Sequence, residues 1–102
     1  MSELHRFSRT ELLVGSQNLE KLKNSTVAVF GLGGVGGYAA EALCRSGVGR
    51  IIIIDFDDVC LTNINRQIHA MDGTVGKSKA LLMAERLRLI NPAADIVPFR
   101  DF

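Results

Sequence analysis

Cysteine, net charge and long apolar runs are all scarce in this chain, and each scarcity excludes a class of protein. Two cysteines, Cys44 and Cys60, make neither a disulfide framework nor a zinc site, and a reducing cytoplasm is the default setting. Twelve basic against eleven acidic residues leave a formal charge of +1, which gives no global attraction to nucleic acid or to a membrane surface. The longest purely aliphatic run, Ile51–Ile54, is far short of the roughly 20 residues of a membrane span. The opening residues mix Glu3, His5, Arg6, Arg9 and Glu11 and present no apolar signal-peptide core. Internal repeats, low-complexity tracts and linkers are missing too. What is present suits one globular domain: 102 residues, 47% of them apolar, enough to offset the entropy of ordering the chain.

The patterning predicts a segment of short helices over 1–24, where Ser16 is placed to cap a turn carrying Leu19 and Leu22. Residues 25–102 then alternate strand and helix. Thr26–Phe30 is a β-branched apolar run stopped by glycines, as a buried parallel strand should be. Between Gly34 and about Ser46, the residues Val35, Tyr38, Ala39, Ala42 and Leu43 fall on one helical face, with Gly47 and Gly49 ending the helix. Arg50–Asp55 reads as a second buried strand. Residues 56–75 are irregular and include an Asp72-Gly73 turn signal. A second helix runs from about Gly76 to Ile90, with Ala80, Met83, Ala84, Leu87 and Ile90 facing inward and Asn91-Pro92 closing it. Ile96–Phe99 starts a third strand, weakened by Pro98. The expected fold is α/β: a Rossmann-like parallel sheet, incomplete at about three strands, behind an N-terminal helical preamble.

Gly31, Gly33, Gly34 and Gly36 lie between the first strand and the first helix. Glycine there permits a tight turn and close backbone approach, and the helix N-terminus offers unpaired N–H groups to an anion. Asp55 ends the second strand, where an acid meets a ribose hydroxyl in nucleotide-binding βαβ units. These features say nucleotide without saying which, and a dinucleotide dehydrogenase fits them equally well. Arg66 and Lys79 shift the balance. A dehydrogenase needs no cationic pair beside the ribose acid, whereas displacing pyrophosphate from a triphosphate develops charge that these residue types stabilise.

Several spaced motifs now agree. Gly31–Gly36, Asp55-Phe56-Asp57, Asn63 with Arg66-Gln67, Val75-Gly76-Lys77-Ser78-Lys79 and Ile90-Asn91-Pro92 together resemble the ubiquitin-activating-type adenylyltransferases that include the ThiF and MoeB enzymes. Arg6-Phe7-Ser8-Arg9 and the run from Asp58 through Asn65-Arg66-Gln67-Ile68-His69-Ala70 look most like that family's tRNA threonylcarbamoyladenosine dehydratase branch.

The resemblance implies ATP with Mg²⁺, a substrate carboxylate attacking the α-phosphate, and an acyl-adenylate. It implies that Gly31, Gly33, Gly34 and Gly36 cradle the nucleotide, that Asp55 holds the ribose and that Asp57 belongs to the ATP site. Asn63, Arg66, Gln67 and Lys79 would line the phosphates, with Arg66 and Lys79 catalytic. Arg9 would reach into the partner's site of a homodimer. In the dehydratase branch the substrate is a threonyl group on tRNA; in the ThiF/MoeB branches it is the C-terminus of a sulfur-carrier protein. The metal-binding aspartate, the substrate surface and a fourth strand would lie beyond these residues, which resemble an N-terminal half with little turnover of its own. Without a fourth strand, Thr26–Phe30 is expected at an apolar sheet edge that favours self-association. An NAD-binding oxidoreductase domain and a non-catalytic dimerisation module are the alternatives. Lys77, Arg86 and Arg88 read as a solvated helix face rather than a tRNA patch. His69 reads as a structural hydrogen-bonder, His5 as mobile, Cys44 as core and Cys60 as a loop thiol without a nucleophilic role.

Overall fold

The computed structural model describes residues 4–101. Helices α1 (Ser8–Val14) and α2 (Ser16–Lys23) form a hairpin ahead of β1 (Thr26–Phe30), α3 (Gly36–Arg45), β2 (Arg50–Ile54), α4 (Lys79–Ile90) and β3 (Asp95–Phe99). The strands make a parallel sheet in the order β1-β2-β3, with Val27 opposite Ile51 and Ile51 opposite Ile96. Pro98 is accommodated because β3 is an edge strand, where a missing N–H need not break a ladder. β1 occupies the other edge, as expected. No helix among the described residues is long and apolar enough to cross a membrane.

Both α3 and α4 pack on one face of the sheet. Ile51, Ile53 and Ile96 meet Leu32, Ala40, Cys44, Met83, Ala84 and Leu87 in a single core. The strands are therefore not buried on both sides. On the opposite face, Ala28 and Phe30 are exposed and Ile52, Ile54 and Val97 are half-covered. This is a correction to the sequence reading: a continuous Ile-Ile-Ile-Ile run shows that both faces are apolar, not that both are covered.

Three further expectations change. The buried stripe of α3 is Gly37, Ala40 and Cys44, while Val35 and Tyr38 stand largely exposed. Small residues let this helix sit close to the sheet, and that closeness chose the face. Ser16 is the first helical residue of α2 rather than its cap, and its hydroxyl donates to Glu11 Oε2 at 3.2 Å. His5 is attached: its Nδ1 accepts the Phe7 N–H at 3.1 Å and its Nε2 lies 3.5 Å from Glu11. The α4 stripe of Ala80, Met83, Ala84 and Leu87 is buried as read. Cys44 is core, its thiol pushed upward in pKa chiefly by burial, and Cys60 is exposed.

Candidate functional site: the carboxyl end of the sheet

Beyond Phe30 the chain turns at Gly31, whose N–H donates to Ile54 O at 2.8 Å and whose φ of +87° favours glycine. Gly36 begins α3 so close to this turn that a Cβ would collide with the Gly31 carbonyl oxygen. These two glycines are needed by the fold itself. Gly33 and Gly34 are different: a Cβ at Gly34 would meet nothing within 4 Å, and at Gly33 only Gln67 Nε2 at 3.9 Å. Packing does not explain their lack of a side chain.

Asp55 is buried at the end of β2, and its carboxylate organises two turns. Oδ2 accepts the Leu32 N–H at 2.7 Å and Oδ1 accepts the Asp57 N–H at 2.7 Å. Asp55 thus braces the glycine loop from the end of the neighbouring strand. Asp57 is exposed, and its carbonyl accepts the Lys79 N–H at 3.1 Å. Val59 N–H donates to Lys77 O and Gly76 N–H to Val59 O, both at 2.8 Å, so residues 57–59 and 76–79 form an antiparallel neck. Arg100 closes over it, donating to both oxygens of Asp58 at 2.9 and 3.0 Å.

Above the neck the chain forms short turns at Leu61–Asn63 and Asp72–Thr74. Asn63 is buried, and its Oδ1 accepts the Cys60 N–H at 2.8 Å. Gln67 is buried beside Gly33, and its Oε1 has no partner among the described residues. His69 is buried with Nε2 2.7 Å from Leu32 O. Burial lowers the His69 pKa below its ordinary 6.5; the Lys79 charge adds to that, while the Leu32 hydrogen bond and Asp55 act against it. Lys79, at the start of α4, is only 6% exposed and forms no ion pair among the described residues.

The structure therefore brings together the glycine loop, Asp55, Gln67 and Lys79, with Asn63 and Asp57 shaping the turns around them. It does not bring Arg66 or Arg9 to the same place. Arg66 is exposed and folded onto its own turn, donating from Nη1 to Thr62 O at 3.0 Å and Asn65 Oδ1 at 2.8 Å. Arg9 is exposed on α1, whose neighbour Phe7 packs near Gly47 at the opposite end of the sheet. Arg86 pairs with Glu41 at 2.6 Å and Arg88 donates to Ile96 O at 3.0 Å, so neither is a free member of a basic patch. A cleft of about 450 Å³ also lies at the far end, lined by Phe7, Glu11, Leu19, Gly47 and Asn91, and holds none of the predicted site residues. The sequence reading missed two supports: the Arg100–Asp58 pair, which no local pattern announces, and Gly37. A Cβ at Gly37 would lie 3.1 Å from Ile68 Cγ2, and the doubled glycine Gly36-Gly37 was its signal.

A parallel sheet, a glycine turn after its first strand and an acid at the end of the next define a Rossmann-like α/β unit. The profile of the ThiF family matches residues 7–102, and the chain belongs to that family. It is 58% identical over 99 residues to the tRNA threonylcarbamoyladenosine dehydratase of Bacillus subtilis, covering 97% of this chain and 39% of that protein. It is 40% identical over 98 residues to the molybdopterin-synthase adenylyltransferase of Escherichia coli, covering 94% of this chain and 39% of the other. Among solved structures, the Escherichia coli tRNA N6-threonylcarbamoyladenosine dehydratase in complex with ATP superposes with a TM-score of 0.93 at 50% identity. That match covers 95% of this chain and 40% of that one, so the chain spans about two fifths of the length of these relatives.

Proposed function

We propose that this chain carries the ATP-binding part of an adenylating enzyme, in which a substrate carboxylate attacks the α-phosphate and pyrophosphate leaves. The observation that carries the reading is Lys79: a lysine 6% exposed, in no ion pair among the described residues, whose charge acts on the His69 that holds the glycine loop at Leu32 O. Desolvating a cation costs several kcal/mol, roughly, unless an anion joins it, and a triphosphate is such an anion. Lys79 neutralises charge that grows on the departing pyrophosphate. Arg66, exposed and held only by its own turn, is free to swing toward the same oxygens. Asp57, Asn63 and Gln67 line the pocket from the 57–67 segment, and Asp55 takes the ribose. Mg²⁺ would accompany the triphosphate; no three His, Cys, Asp or Glu side chains cluster among the described residues, so these alone do not make its site.

The substrate that best fits the similarity to the dehydratases is the threonyl carboxylate of threonylcarbamoyladenosine in tRNA, whose adenylate cyclises with loss of AMP. The likeness to the molybdopterin-synthase adenylyltransferase favours a second reading, activation of a sulfur-carrier protein's C-terminus. Either way the working form is a homodimer in the cytoplasm, with Arg9 serving the partner's site. Leu12 and Leu13, 66% and 88% exposed on the same helix, offer apolar surface for that contact. The test is a calorimetric titration with ATP·Mg²⁺ and with NAD⁺, on the wild type and on Lys79→Ala. ATP binding that weakens in the variant supports the reading; NAD⁺ binding indifferent to Lys79 overturns it in favour of an oxidoreductase domain.

A further inference from the structure

Leu32 is the buried apolar residue of the glycine loop, and both its backbone groups are held by side chains from other segments. Its N–H donates to Asp55 Oδ2 at 2.7 Å, and its carbonyl lies 2.7 Å from His69 Nε2. A carbonyl only accepts, so Nε2 carries the proton and Nδ1 is left as a buried lone pair without a partner. His69 is itself fixed: Thr74 Oγ1 donates to His69 O at 2.8 Å and accepts the Met71 N–H at 2.8 Å. Ile68, next to it, fills the space that Gly37 leaves.

The Leu32 carbonyl and the Gly33 N–H belong to one planar trans peptide and point in opposite directions. Whatever holds the carbonyl therefore aims the N–H. No group of the described residues takes the N–H of Gly33, Gly34 or Val35. We propose that His69 is a positioning residue for the nucleotide: by holding the Leu32 carbonyl it turns the Gly33 N–H outward to the phosphates and locks the glycine loop to the segment carrying Asn63 and Gln67. A hydrogen bond on the carbonyl also polarises the peptide and strengthens its N–H as a donor. This inference rests on the ATP reading above.

The experiment compares ATP·Mg²⁺ affinity in the wild type, His69→Ala and His69→Gln, together with their melting temperatures. His69→Ala is expected to bind ATP about tenfold more weakly, the loss of one hydrogen bond. His69→Gln, whose side-chain amide can donate to the same carbonyl, is expected to recover most of it. An alanine variant that melts lower but binds ATP like the wild type makes His69 merely structural and overturns the proposal while leaving the ATP reading intact. A wild type that binds no ATP removes both. If the alanine variant does not fold, the ¹⁵N spectrum of the wild-type imidazole decides: a protonated Nε2 with a bare Nδ1 is expected, and the reverse tautomer overturns the proposal.

Discussion

The two ends of the parallel sheet treat charge in opposite ways. At the amino end, Arg50 and Asp95 pair at 3.1 Å with 49% and 65% of their side chains exposed, and His5 and Glu11 meet at 3.5 Å. Both pairs are at least partly in water. At the carboxyl end, Asp55, Lys79, Gln67 and His69 are all buried, and among the described residues Lys79 forms no ion pair and Gln67 Oε1 and His69 Nδ1 have no hydrogen-bond partner. Paired, wet charges contribute little to stability and ask for nothing more. Desolvated, unmatched ones lower the stability of the free protein, and a ligand that completes them recovers the loss. The difference sets the carboxyl end apart from the end that holds the cleft of about 450 Å³.

Replacing Lys79 with Met should break the contrast most completely. In the active enzyme, pyrophosphate release is expected to fall about 10²–10³-fold, the effect of losing a donor worth roughly 2.7–4 kcal/mol in the transition state. The denaturation midpoint should hold or rise, because a buried unpaired cation has gone. Arg66→Ala should lower the rate comparably and leave the midpoint unmoved, as its side chain is exposed. A loss below threefold in either variant would return that residue to the solvated surface.

A smaller effect should come from pH. Burial lowers the folded-state pKa of His69, so the unfolded chain takes up that proton more readily. The stability this supplies is complete above the ordinary 6.5 and is lost as pH falls toward the lowered folded value. Lys79 and Asp55, which face the imidazole with opposite signs, partly cancel. Denaturant titrations between pH 7.5 and 5 should show the decline, and His69→Gln should flatten it. The smallest effect belongs to the amino end. A double-mutant cycle on Arg50 and Asp95 should return about 0–1 kcal/mol and fade with salt.

Much of this was legible in the residues themselves. The strands at Thr26–Phe30 and Arg50–Ile54, the glycine turn and the inner stripe of α4 follow from periodicity and from where glycine stops a run. The face of α3 was not, because hydrophobicity named Val35 and Tyr38 while close approach to the sheet selected Gly37, Ala40 and Cys44. Nor did composition separate an apolar sheet face that is covered from one that is not. At the site, residue type identified Lys79, but only folding reveals that it is buried and unmatched. The double hold on Leu32 joins residues 23 and 37 positions away, beyond the reach of any local pattern.

The antiparallel neck has a consequence for how the family's chemistry can diverge. Everything from Cys60 to Val75 hangs from the bonds between Val59, Gly76 and Lys77, so its length is uncoupled from the register of the sheet. Doubling a loop adds only about 0.6 kcal/mol of closure entropy. His69 divides that freedom unequally. The half from Asn63 to His69 is tied at both ends, to the neck and to the glycine loop, and an insertion there would shift Gln67 against Gly33. The turn from Met71 to Gly73 is exposed and beyond that tie. New sequence can accumulate at this turn without moving Gln67 against Gly33.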